Sequence, residues 1–135
     1  MKTTAAALVA AIALSGCASL PDEAVFNERF PAPYDVLAAC AYEAASRDGI
    51  LGLRFTDLKA TRAALINMDS GGYSPVPLWE ARFTGDGDSA TRVEIKAFPT
   101  VFGRDLHAQK TIAHVRACAA QYRPAPPLGK KNTNR

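Results

Sequence analysis

The sequence predicts an α+β fold: an antiparallel sheet of four to five strands with two helices on one face, in the order βαββββα. Three observations carry this expectation. Trp79–Thr84 and Arg92–Ala97 alternate apolar and polar residues on either side of a Gly-Asp-Gly-Asp turn, the pattern of a half-buried hairpin. Two stretches, about 33–48 and 105–122, repeat their apolar residues at helical spacing instead. The segments between them form strand-like runs joined mostly by short turns, so one antiparallel sheet carrying both helices on one face buries every apolar stripe most simply.

Taken in order, Val25–Phe30 places Phe26 and Phe30 on one side and reads as a first strand ended by Pro31 and Pro33. A helix follows from about Pro33 to Asp48. Pro33 suits a first helical position, Asp35 complements the dipole, and Gly49 supplies a left-handed stop. Leu37, Cys40, Ala41 and Ala44 form its expected buried stripe. Leu51, Leu53 and Phe55 alternate with polar or small neighbours as a half-buried strand, and a turn near Lys59–Thr61 leads into a strand over Arg62–Met68. The facing of that strand is open, since Ala64 and Ile66 compete with Ala63 and Leu65. Residues 69–77, with Gly71-Gly72 and two prolines, read as a loop.

Charge chooses the register of the hairpin. Glu80 opposite Glu94 would also oppose Arg82 to Arg92, which is doubly repulsive. A shift of two residues sets Glu80 against Lys96 and Arg82 against Glu94, and this is the predicted pairing. Pro99–Gly103 is a connection to the second helix, about Asp105–Tyr122, whose core stripe is Ala108, Ile112, Val115, Ala119 and Tyr122. From Arg123 the chain is proline-rich and then basic, with nothing to bury, and reads as a disordered tail over 123–135.

The amino end follows a different logic. Lys2 precedes an uncharged apolar run, Ala5–Leu14, which ends in Leu14-Ser15-Gly16-Cys17. A positive start, a short apolar stretch and small residues before a cut describe an export signal over residues 1–16. The run is too short to span a bilayer, which takes about 20 apolar residues. Its last four residues resemble the lipobox of bacterial lipoproteins. The resemblance implies cleavage after Gly16, a diacylglyceryl group on the Cys17 thiol, and acylation of the new amino terminus. Residues 17–24 are then a leader and 25–122 the folded domain. The residues after the anchor, Ala18-Ser19, lack the aspartate that marks inner-membrane retention in such lipoproteins. The expected place is therefore the outer membrane, facing the periplasm.

Removing the first 16 of 135 residues leaves 119, enough for one domain with one core. All 13 acidic residues follow Cys17, and residues 17–122 hold 11 bases against them, so the body is slightly acidic. That argues against nucleic acid as a partner. Once Cys17 carries lipid, Cys40 and Cys118 remain, in a compartment that favours disulfides. Both lie on inward-leaning helix faces, and the expected state is a bridge between the helices, with two separate thiols as the alternative.

Phe30-Pro31-Ala32-Pro33-Tyr34 before an alanine-rich helix, Thr91-Arg92-Val93-Glu94-Ile95-Lys96, and Phe102-Gly103-Arg104-Asp105 ahead of the last helix together resemble a family of small, uncharacterised proteobacterial lipoproteins. The likeness covers roughly residues 25–120 and implies the same βαβ₄α layout with no known activity. Cys40, Cys118 and the 69–77 loop lie outside its pattern.

The residue types that perform catalysis do not form a recognisable set. His107 and His114 are seven apart on one helix, but two ligands without a fitting carboxylate do not make a metal site. Asp86-Gly87-Asp88-Ser89 begins like a calcium loop, then has Ala90 and Ala97 where oxygen ligands are needed. No serine sits in a nucleophile elbow, and Cys40 on an apolar helix face is a poor nucleophile. No cofactor and no enzyme activity are expected. The loop bearing Tyr73, with Trp79 close behind, is the candidate contact for a partner protein. The sequence thus points to a lipid-anchored envelope protein of accessory or scaffold type. A small-ligand or cell-wall binder with a cavity between sheet and helices is the alternative, and an enzyme using Glu43, Asp57 or His107 a third.

Overall fold

The computed structural model describes residues 19–73, 76–98 and 106–124. The signal, the Gly16–Cys17 cleavage and lipidation site, the 99–103 connection and most of the basic tail lie outside the described residues. The elements run β1 (Phe26–Phe30), α1 (Tyr34–Arg47), β2 (Leu53–Leu58), a short 3₁₀ turn (Lys59–Thr61), β3 (Ala63–Asp69), β4 (Pro77–Gly85), β5 (Thr91–Ala97) and α2 (Leu106–Gln121). The expected α+β class and element order are present, with five strands.

The strands form one antiparallel sheet in the order β1-β5-β4-β3-β2. β2 to β5 form a simple meander, while β1 lies beside β5 at the far edge, so α1 carries the chain across the whole sheet. The hairpin pairs Glu80 with Lys96 and Arg82 with Glu94, the register that charge predicts. Pairing also fixes the face of β3. Ala64, Ile66 and Met68 oppose Phe83, Ala81 and Trp79, and those oppose Val93, Ile95 and Ala97. These three rows are buried and make the inner face. Period two then sends Leu65 and Asn67 to the other face.

Both helices cover that face. α1 packs on β3 and β4, α2 on β5, β1 and β4, and the helices pack against each other. Alanines at 38, 41, 45 and 108 are fully buried and keep the layers close. Cys40 and Cys118 are bonded, with Cα atoms 6.0 Å apart, and join the middle of α1 to the last turn of α2. Closing a loop of 78 residues removes freedom chiefly from the unfolded chain. A buried hydrogen bond from Thr91 Oγ1 to the Ala32 carbonyl, 2.6 Å, ties the start of β5 to the β1–α1 corner.

Several local expectations need correction. Pro33 is the residue before the helix, in extended conformation, and not its first residue; its carbonyl accepts from Leu37 N–H. The buried stripe of α1 is Leu37, Ala38, Ala41 and Ala45, so Cys40 turns from the sheet towards α2 and Ala44 is only half-buried. Leu51 lies in a turn ahead of β2 and stands 88% exposed. β2 itself is an edge strand that α1 barely overlaps, so Phe55 stays 38% exposed beside Tyr42. Pro77 belongs to β4, at its first residue and next to a register shift, where no ladder N–H is required. Gly49, at φ +73°, ends α1 as expected.

Replacing Cys40 and Cys118 by serine is expected to cost about 2–5 kcal/mol of stability, read as a lower urea midpoint. The unaltered chain in reductant should move to the same midpoint.

Candidate functional site

The turns of the sheet gather at two ends. One end holds the Pro31–Pro33 corner, the 3₁₀ turn, the β4–β5 hairpin loop and the C-terminus of α2. The other holds the chain before β1, the Gly49–Gly52 turn, the Ser70–Val76 loop and the N-terminus of α2.

The candidate contact loop is closed at its neck. Ser70 N–H donates to the Val76 carbonyl, 2.9 Å, and Val76 N–H donates to Ser70 Oγ, 3.0 Å. Beyond that neck Gly71 and Gly72 take left-handed conformations and Tyr73 stands fully in solvent. Trp79 does not join it. Its ring is 1% exposed and forms part of the core on β4, so it offers nothing to a partner; the inward phase of the Trp79-Ala81-Phe83 alternation already carried that signal.

The histidines are also separated. His114 Nε2 lies 2.7 Å from Asp48 Oδ2 and links α2 to the end of α1. The carbonyl of His107 accepts from Thr111 Oγ1 one turn on. Among the described residues, His107 Nδ1 and Trp79 Nε1 are buried with no hydrogen-bond partner, and no group of three metal-ligating side chains forms. Glu43 pairs with Arg47 on the surface of α1, and Asp57 lies within 3.9 Å of Lys59 at the opposite end of the molecule from His107. The three do not share a site.

In the hairpin loop arginines occupy the carboxylates. Arg29 Nε donates to Asp86 Oδ2 at 2.6 Å, while Arg62 Nη2 donates to the Gly87 carbonyl and to Asp88 Oδ1 at 2.6 and 2.9 Å. Arg62 holds a left-handed backbone, and its carbonyl accepts from Gly85 N–H. A Cβ on Gly85 would meet Tyr34 at 3.2 Å and this carbonyl at 3.3 Å, so any side chain there would have to push these neighbours back by a few tenths of an ångström. At the other sheet edge Arg116 reaches from α2 to Glu28 on β1 through two of its nitrogens, and its guanidinium lies 6.0 Å from the centre of the Phe26 ring.

An apolar groove of about 280 Å³ opens beside the disulfide, lined by Val36, Leu37, Tyr122 and both half-cystines. It runs between the helices and not, as a ligand-binding reading expects, between helices and sheet. On the open face of the sheet Glu80, Arg82, Glu94 and Lys96 surround a polar cleft of about 160 Å³. No helix among the described residues is long and apolar enough to cross a membrane. No family model, curated protein or solved structure matches the chain.

The hydrogen bond and the charge of Arg29 hold the Asp86 carboxyl below its ordinary value of 3.8. Because the folded value is the lower one, the pair contributes stability above about pH 4, and loses it as pH falls through the folded value. Arg29→Gln should thus be slightly less stable than the unaltered chain at neutral pH. The gap should close in acid, and in high salt, where exposed charges are screened.

Proposed function

We propose that the protein is a lipid-anchored lipoprotein of the outer membrane, facing the periplasm, and that it acts as a non-catalytic accessory or scaffold domain for another envelope protein. The observation that carries this reading is Leu14-Ser15-Gly16-Cys17 closing a short apolar run behind Lys2. The Cys40–Cys118 bridge supports it, since disulfides persist in oxidising compartments. Tethering raises the local concentration of the domain towards neighbours on the same surface, so a modest contact suffices for function. Tyr73, preceded by two left-handed glycines beyond the closed loop neck, is the side chain assigned to that contact. The alternative, a small-ligand or cell-wall binder, rests on the interhelical groove, whose volume lies at the small end for ligand sites.

Labelled palmitate should enter the full-length protein, and Cys17→Ser should abolish the label and release the protein from the membrane fraction. A mature chain beginning elsewhere than residue 17 would sink the assignment. A photocrosslinker at position 73 should capture one envelope protein that a crosslinker at exposed Lys59 does not. Equal capture from both positions removes Tyr73 from the contact.

A further inference from the structure

Of the six large apolar side chains that stand exposed among the described residues, four lie at one end of the molecule: Val25, Leu51, Tyr73 and Leu106. Strand register places them there. Val25 donates its N–H to the Ile95 carbonyl near the end of β5, and Leu51 precedes Leu53, which pairs with Met68 at the end of β3. Tyr73 lies in the loop after β3. Leu106 opens α2, which runs away from this end: His114 meets Asp48 at the end of α1, and Tyr122 shares the groove with Val36 near the start of α1. Leu51 is 88% and Leu106 57% exposed.

The chain before β1 emerges at this same end. Seven residues, 18–24, separate Cys17 from Val25, and fully extended they reach about 25 Å. We infer that this end of the domain is a bilayer-resting surface, with Leu51 and Leu106 inserted among the headgroups of the leaflet that holds the anchor; the inference rests on lipidation at Cys17. Charge at this end nearly cancels. Among the described residues Arg54 lies 3.5 Å from Asp69, His114 meets Asp48 and Arg47 meets Glu43, so these charges are paired within the fold. Docking therefore depends on apolar insertion and not on anionic lipid, and salt should leave it unchanged. A tyrosine belongs at such an interface, with its ring in the apolar margin and its hydroxyl in water. Tyr73 then stands at headgroup height, which confines a protein meeting it to one embedded in, or lying on, the same leaflet.

The test uses the full lipidated protein in phosphatidylethanolamine vesicles, with and without bromine on the acyl chains. Leu51→Trp and Leu106→Trp place a quenchable indole at the proposed surface, and Lys59→Trp places one at the opposite end. All three positions are exposed, so the buried Trp79 remains a constant background. The added emission of the first two should be largely lost in brominated vesicles and that of the third retained. Failure to float with the vesicles overturns the anchor, and this inference with it. Flotation with equal quenching at 51, 106 and 59 overturns the docking surface alone. Shielding of position 51 from aqueous iodide without quenching by brominated lipid assigns the surface to a second copy of the chain and overturns the lipid docking.

Discussion

Coverage is the constraint on which this structure depends. Five strands about 4.8 Å apart present an inner face some 24 Å wide, while two helices packed side by side shield only about 20 Å. The shortfall falls on β2. Its inner row, Leu53, Phe55 and Asp57, is the least buried of the sheet, and Tyr42 leans from α1 to meet Phe55 with ring centres 5.4 Å apart. Within the covered part, alanines on both helices let the layers approach, and the disulfide keeps the helices from spreading across a sheet slightly too wide for them.

The two ends of the domain are finished differently. At the end holding the hairpin loop, Thr91 binds Ala32, Arg29 binds Asp86, and Arg62 binds both Gly87 and Asp88, so three connections are stitched together by hydrogen bonds between segments distant in sequence. At the end from which the leader emerges, the hydrogen bonds that close the Ser70–Val76 neck are local, and the long-range side-chain hydrogen bond is His114 to Asp48. Among the described residues four exposed apolar side chains stand there, against Val36 at the opposite end. The asymmetry matches a molecule with one end turned towards water and the other towards a surface.

Much of the fold was legible because its signals are local. The alternation in β4 and β5, with four charges that tolerate one register, determined the hairpin completely. Gly49 marked a helix end, and the two cysteines found each other because both fall on helix flanks that face inward. What stayed illegible depends on neighbours that a single segment cannot announce. The facing of β3 came from pairing with β4, not from its own composition, in which alanine, leucine and isoleucine fall on both faces. The exposure of Phe55 follows from β1 pairing with β5, which leaves β2 at the rim of the sheet, and that of Leu51 from its place in the turn ahead of the strand. Trp79 looked available for contact because of its loop neighbours, whereas its strand phase sends it inward.

The pairing of β1 with β5 also sets the order in which the molecule can be completed. A chain that emerges amino end first, from a ribosome or through a membrane pore, presents residues 26–30 and Cys40 long before residues 91–95 and Cys118 exist to receive them. The β2–β4 meander can assemble meanwhile, but it has only α1 to shelter it. Closure is thus deferred to the last third of synthesis, and until then the polypeptide lacks both the strand that receives β1 and the half-cystine that joins the helices.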